Sequence, residues 1–333
     1  MSIPGHTRDG GGLPVLRLGL LGAGYVNERI VVAARDVPAV TVAALASRDH
    51  AKASNAAQYF GIPRAFGSYE KLLAQPDIDA VYIGLPNSLH LPWAEEALRH
   101  GKHVLVEKPL SRDHSRVAEL VELAQVSRLL VVEGFMFRYH PQTARILDII
   151  IGRELGAQRL LQMHFSFPLA KGSNVRWSPE LEGGALMDLG CYCLAASRLF
   201  AGPPEEITAR AVIGPSGVDT KVAATLVTAQ DIVTRFDVDF ALPRYQQMTI
   251  HFEAGRIEIS SPFHCRGGTL VITDHDGRQT VENFDSGNAF AYELQAFADA
   301  IHGVDQHQIA SFDAVVQASC LDMLYHEAGL HLA

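Results

Sequence analysis

The chain has 333 residues, 48% hydrophobic and 20% charged, which is ordinary globular composition and excludes large-scale disorder. With 28 Lys and Arg against 37 Asp and Glu, the formal charge is -9 (His neutral), so no basic surface for nucleic acid is expected, only a local cationic pocket. The four cysteines, Cys191, Cys193, Cys265 and Cys320, make no disulfide framework in so long a chain, and the one-residue gap in the first pair is poor zinc spacing, so no metal is expected.

Residues 1–13, with Gly10-Gly11-Gly12, read as a flexible tail that lacks the apolar core of a signal peptide. No apolar run approaches the ~18 residues that a membrane helix needs. The expectation is a cytoplasmic protein of two domains with no membrane partner. From Val15 a short apolar run, a turn and a helical segment repeat. Strands are predicted at Val15–Leu21, Val40–Ala46, Ala80–Leu85, His103–Val106 and Leu129–Glu133. Between them Asp113–Val126 is helical, with Val117, Leu120, Val121 and Ala124 at i, i+3, i+4 and i+7. Near-continuous apolar strands suit a parallel sheet covered on both faces, so residues 14–140 read as a doubly wound α/β domain.

Gly22-Ala23-Gly24-Tyr25-Val26-Asn27 closes the first strand and opens a helix over Val26–Ala34. Gly22 allows a tight turn and Gly24 a close backbone approach, so Gly22, Gly24, Tyr25, Val26 and Asn27 are candidate contacts for a dinucleotide pyrophosphate. Asn27 stands where Gly or Ala is usual and implies wider helix–strand packing. The second strand ends Ala46-Ser47-Arg48, where Arg48 with Ser47 suits a 2′-phosphate; Asp49 would serve a non-phosphorylated ribose. NADP(H) is favoured over NAD(H). Two further segments leave the carboxyl ends of strands, where open α/β sheets bind ligands, and their residues Leu85, Pro86, Asn87 and His90, and Glu107 and Lys108 before Pro109, are candidate cofactor contacts. Lys108, between a buried strand and a proline, is placed to polarise a substrate oxygen, with a structural ion pair as the alternative. His90 reads equally as a packing or capping residue and as a cofactor contact.

After Pro141 the texture changes, and 141–333 reads as an α+β domain for substrate binding and oligomerisation. A connecting helix is predicted at Arg145–Ile151. Strands follow at Arg159–Phe167, Glu206–Ile213, Val222–Thr228, Ile232–Phe240, Met248–Phe252, Arg256–Ile259 and Leu270–Thr273. Helices are predicted at Gly184–Phe200, Ala289–His302 (stripe Phe290, Leu294, Phe297, Ile301) and Phe312–His326. Asp188 and Tyr192, four apart, share a helix face; they make a sensible acid–base pair or a plain half-buried hydrogen bond.

Gly22-Ala23-Gly24, Ser47-Arg48, Pro86-Asn87-x-x-His90, Glu107-Lys108-Pro109 and Asp188-x-Gly190-x-Tyr192 together resemble the glucose-fructose oxidoreductase/inositol dehydrogenase (Gfo/Idh/MocA) family from Val15 onward. The resemblance implies an N-terminal Rossmann domain and a C-terminal open, mainly antiparallel sheet, with the nicotinamide between them. It implies Lys108 at the reacting oxygen, Tyr192 as acid/base, and Asp188 orienting the substrate or Tyr192. Tyr192, the Gly172–Trp177 segment and Gly183-Gly184 look like the branch of dihydrodiol dehydrogenase, NADP-dependent D-xylose dehydrogenase and sugar ketoreductases. Phe137, where inositol dehydrogenases often carry Arg, and Arg176 are implied substrate residues. The expected function is hydride transfer between NADP(H) and a secondary alcohol or ketone of a sugar or diol, by a homo-oligomer joined through the second domain's sheet. An NAD-dependent glycoside hydrolase or lyase working by transient oxidation, and a non-catalytic NADP(H) sensor, remain as alternatives.

Overall fold

The computed structural model describes residues 12–170, 172, 174–284, 287–304 and 311–330. The chain clusters into two units: Met1–Ser111 with Ser115–Gly134 and Phe290–Val315, and Arg112–His114 with Phe135–Ala289 and Val316–Ala333. Residues 1–11 of the expected tail, and Ser173 of the segment before Trp177, lie outside the described residues.

The first unit alternates strands and helices: β1 (Leu16–Leu21), α1 (Tyr25–Ala34), β2 (Val40–Ala46), α2 (His50–Phe60), β3 (Ala65–Phe66), α3 (Tyr69–Leu73), β4 (Ala80–Ile83), α4 (His90–Arg99), β5 (His103–Glu107), α5 (His114–Ser127) and β6 (Val131–Gly134). All strand pairs are parallel, in the order β3-β2-β1-β4-β5-β6. The order reverses between β1 and β4, which puts a crevice at the carboxyl ends of the strands, where open α/β sheets take ligands. Leu18, Leu20, Leu45 and Tyr82 are fully buried, as the unbroken apolar runs require of strands covered on both faces.

The second unit begins with α6 (Pro141–Gly152) and β7 (Gln158–Ser166), followed by α7 (Cys191–Ala201). Seven more strands follow: β8 (Pro204–Ile213), β9 (Asp219–Thr228), β10 (Val233–Asp239), β11 (Tyr245–Phe252), β12 (Gly255–Ser260), β13 (Thr269–Asp274) and β14 (Gln279–Asn283). They form one sheet with β7, ordered β14-β13-β12-β11-β7-β10-β9-β8. Only the β7/β10 pair is parallel. Along β7 the side chains of Leu161, Met163 and Phe165 are buried while Gln162 is exposed, so one face packs and the other stays open. The edge strand β14 was not expected; it is mostly exposed and so lacks the alternation that marks a half-buried strand. The last helices are α8 (Ala289–Ile301) and α9 (Ser311–Glu327). Sequence texture puts α8 in the second domain, yet Leu294, Phe297 and Ala298 are buried in the first unit's core with Leu20, Leu105 and Val132.

The turn from β1 to α1 also differs from expectation. Asn27 is fully buried without loosening the packing, because its amide occupies space left by two glycines. A Cβ on Gly22 would stand 2.8 Å from Asn27 Nδ2, and one on Gly84, just past β4, would overlap Asn27 Oδ1. Gly84→Ala is therefore expected to cost about 1–3 kcal/mol in urea unfolding, and Asn27→Ala added to it should recover part of that loss. Equal losses in the single and double variants would show that this contact is not the source.

Candidate active site

At the end of β1, Gly22 turns the chain with φ +109°. Gly24 caps α1 with extended backbone and supplies no side-chain cap to the helix's first N–H groups. A Cβ on Gly24 would meet nothing within 4 Å, so there is open room at the positive end of the helix dipole. Open N–H donors, an open glycine and a buried amide whose two polar atoms lack partners (Asn27) fit a dinucleotide pyrophosphate. Tyr25 is 69% exposed, with the Arg29 guanidinium 4.8 Å over its ring, and Val26 is half-buried.

At the end of β2 the two alternatives separate. The Asp49 carboxylate accepts from Ala51 N–H at 2.8 Å and Lys52 N–H at 3.2 Å, capping α2. Arg48 is exposed and its charge acts on the phenol of Tyr69, whose ring stands edge-on to Trp93 at 4.7 Å. Ser47 is buried, and its hydroxyl accepts from Asp49 N–H at 3.4 Å. An exposed cation close to a phenol, beside a carboxylate already engaged by its own helix, suits a 2′-phosphate better than a bare ribose.

Leu85, Pro86 and Asn87 leave β4 half-buried and lead into α4. His90, the first residue of α4, is 1% exposed, with Nδ1 2.8 Å from the Pro109 carbonyl oxygen and Nε2 2.7 Å from that of Leu85. Burial, aided by the charge of Lys108 and opposed by the two carbonyls, pushes its pKa down to about 4. The ring is then neutral and gives its single N–H to one carbonyl at a time. His90 thus braces the two loops from inside, the packing role, with no surface left for a cofactor.

Lys108 follows β5 and is half-buried. Glu107, expected as a cofactor contact, is 8% exposed and accepts the Tyr82 hydroxyl, so it belongs to a buried carboxyl cluster. Glu133 on β6 accepts from Leu110 N–H at 2.8 Å. Glu293 on α8 is 1% exposed with neither oxygen hydrogen-bonded, and burial followed by the Glu107 charge pushes its pKa well above the usual carboxylate range. Burial of this kind favours the neutral form of the carboxyl.

In the second unit, residues Leu186–Gly190 form a π turn that runs into α7. Four residues span about one turn of either helix type, so Asp188 and Tyr192 share a face as expected. Arg176 Nε donates to Asp188 Oδ2 at 2.5 Å, which gives the implied substrate residue Arg176 a carboxylate partner. Gly184 N–H donates to the Arg176 carbonyl at 3.0 Å, and a Cβ on Gly183 would overlap that same carbonyl. The two glycines therefore seat Arg176 beside the helix. The Tyr192 ring lies 5.6 Å from Phe135, 5.8 Å from Phe165 and 5.6 Å from Phe263, with its hydroxyl 3.6 Å from Met136 Sδ. Phe137 is fully buried in this aromatic nest, 6.3 Å from Tyr192, so it backs the tyrosine and does not reach a substrate.

Three residues that sequence reasoning missed touch these arrangements: Tyr69 close to Arg48, Glu293 beside Glu107, and Asp219 at the start of the Tyr192 helix. Each acts on residues distant in sequence, and no local pattern marks it. Among the described residues no group of His, Cys, Asp and Glu is arranged to hold a metal, and no helix is long and apolar enough to cross a membrane.

Comparison with known proteins gives a consistent result. The family described as "Oxidoreductase family, NAD-binding Rossmann fold" (GFO_IDH_MocA) matches residues 16–135, and the "GFO/IDH/MocA C-terminal domain" matches 143–258. The chain is 34% identical over 317 residues to D-xylose 1-dehydrogenase (NADP(+)) 2 of Haloferax volcanii, covering 94% of this chain and 97% of that one. It is 31% identical to trans-1,2-dihydrobenzene-1,2-diol dehydrogenase of Xenopus laevis, over 94% and 98% of the two chains. Among solved structures, the 3-ketoreductase from Actinomadura kijaniata in complex with NADP and TDP-benzene superposes with a TM-score of 0.88 at 28% identity, over 94% and 98% of the chains.

The burial of His90 sets a pH dependence. Between its unfolded value of 6.5 and the folded value of about 4, the unfolded chain binds a proton that the folded chain does not. This contribution is complete above pH 6.5 and is lost as the pH falls towards 4, by about 3 kcal/mol in full. His90→Asn should flatten the change in unfolding free energy between pH 7 and pH 5 relative to the wild-type chain, and unchanged slopes would exclude His90 as the group.

Proposed function

The chain belongs to the Gfo/Idh/MocA oxidoreductase family, and we propose that Lys108, Asp188 and Tyr192 carry out the chemistry. It is an NADP(H)-dependent oxidoreductase that transfers a hydride between the nicotinamide and a secondary alcohol or ketone carbon of a sugar or related diol. The observation that carries the residue assignment is the presence in one chain of a half-buried lysine at a strand end and a tyrosine one turn from an Arg-paired carboxylate.

When bound, NADP(H) supplies or accepts the hydride at C4 of the nicotinamide. Gly22, Gly24, Tyr25 and Val26 bind the pyrophosphate through the first turn of α1; Ser47 and Arg48, close to Tyr69, take the 2′-phosphate. Leu85, Pro86 and Asn87 line the cofactor, while Asn27, His90 and Glu107 act on it from inside the fold. Lys108 polarises the reacting oxygen. In oxidation Tyr192 takes the hydroxyl proton, and in reduction it returns it. The Arg176–Asp188 pair holds the helix carrying Tyr192 and orients the substrate. Neither alternative function is favoured, since the relatives are dehydrogenases and reductases and a sensor has no use for an acid–base pair.

Two coarser features extend this. The open face of the eight-stranded sheet, with Gln162, Arg210, Arg235 and Asp237 around a shallow cleft, suits self-association. Four free, buried cysteines suit a reducing, cytoplasmic setting.

A panel of aldoses including D-xylose, diols and nucleotide-linked ketosugars, followed by NADPH absorbance, identifies the substrate. With it, Lys108→Met should lower kcat about 100-fold or more with NADPH affinity within several-fold, and Arg48→Ala should weaken NADP(H) about tenfold while sparing NAD(H). Full activity in the first variant, or equal losses for both cofactors in the second, overturns the corresponding assignment. Light scattering should give a multiple of the monomer mass; a monomer removes the oligomer.

A further inference from the structure

The helix that bears Asp188 and Tyr192 starts without a cap of its own. Its N-cap is Ala185, which has no side-chain acceptor, and the two residues before it are glycines. Left alone, the first N–H groups would be buried and unsatisfied, since Ala185 and Leu186 are both fully buried. The missing acceptor comes from another strand. Asp219, the first residue of β9, is 2% exposed and its Oδ2 accepts from Leu186 N–H at 2.7 Å.

The approach of this carboxylate depends on Gly184. That residue has φ +115°, which L side chains rarely adopt, and any Cβ there would overlap Asp219 Oδ1. Gly184 also donates to the Arg176 carbonyl, and its own carbonyl accepts from Asp188 N–H at 3.1 Å. One glycine thus connects Asp219, Arg176 and Asp188. Across the π turn, a Cβ on Gly190 would come within 2.6 Å of Leu186 Cδ1, so the turn is packed tightly from Leu186 onward. A shift at Leu186 is carried along the helix to Tyr192 rather than absorbed.

We propose that Asp219 is a positioning residue: from β9 it anchors the first turn of the acid–base helix and thereby sets where the Tyr192 hydroxyl stands. The proposal rests on the assignment of Tyr192 as acid/base. Burial raises the Asp219 carboxyl to about 6 while the backbone N–H groups pull it down, so at neutral pH a charged carboxylate is kept in an apolar setting. A buried charge at that spot is matched by the positive end of the helix it caps.

The test compares Asp219→Ala, Asp219→Asn and Tyr192→Phe, using the substrate that turns over fastest in the panel. Asp219→Ala should lower kcat about 10- to 100-fold with NADPH affinity within about twofold, because misplacing a catalytic group by about 1 Å costs that much. Asp219→Asn, which keeps one oxygen acceptor, should fall between it and the wild-type chain, and remains informative if the alanine variant does not fold. The solvent deuterium isotope effect on kcat should rise in both, because a displaced acid makes proton transfer slower; a merely structural loss leaves that effect unchanged. Unchanged kcat in Asp219→Ala or Asp219→Asn alongside a slow Tyr192→Phe overturns the proposal, as does a loss of kcat with an unaltered isotope effect. A Tyr192→Phe variant with full activity overturns the acid–base assignment instead.

Discussion

The geometry of the first unit's site depends on one buried imidazole. His90 lies against the carbonyl of Leu85, which follows β4, and the carbonyl of Pro109, which follows β5. Loops leaving neighbouring parallel strands have no ladder bonds to hold them, so without such a brace their separation would vary. Because the ring is neutral, it fixes the loops without placing a second cation beside Lys108.

The second unit solves a related problem with glycines and a carboxylate. Gly183 and Gly184 let backbone pass where any side chain would collide, and Arg176, Asp188 and Asp219 fill the space made available. Small residues here act through what they admit. The same holds at Asn27, which fits only because Gly22 and Gly84 carry no Cβ. In both units a bulky polar group is matched to absences elsewhere in the chain.

That matching explains what the sequence could reveal. The parallel sheet was legible because strands covered on both faces are almost wholly apolar, as Ala80–Ile83 is. The positions of the glycine loop, Arg48 and Lys108 at strand ends, and of Asp188 and Tyr192 on one helix face, were legible because each is a local pattern at a strand end or a helix start. Asn27 was misjudged because Gly84 lies in a different βα unit, and Asp219 was invisible because the helix it caps begins 33 residues earlier. Phe137 came from a resemblance that speaks of position and not of burial. The apolar stripe of α8 showed that it packs, but a stripe does not say against which core.

The return of α8 to the first unit has a consequence for how the protein is made. Leu294, Phe297 and Ala298 form part of the core that Leu18 and Leu20 begin, yet all of Phe135–Ala289 is synthesised in between. On the ribosome, the first sheet is finished long before its last wall emerges from the exit tunnel. The nascent N-terminal unit therefore presents an open apolar flank throughout translation of the second. A chain stopped short of α8 carries every strand of the first sheet and still lacks a closed core.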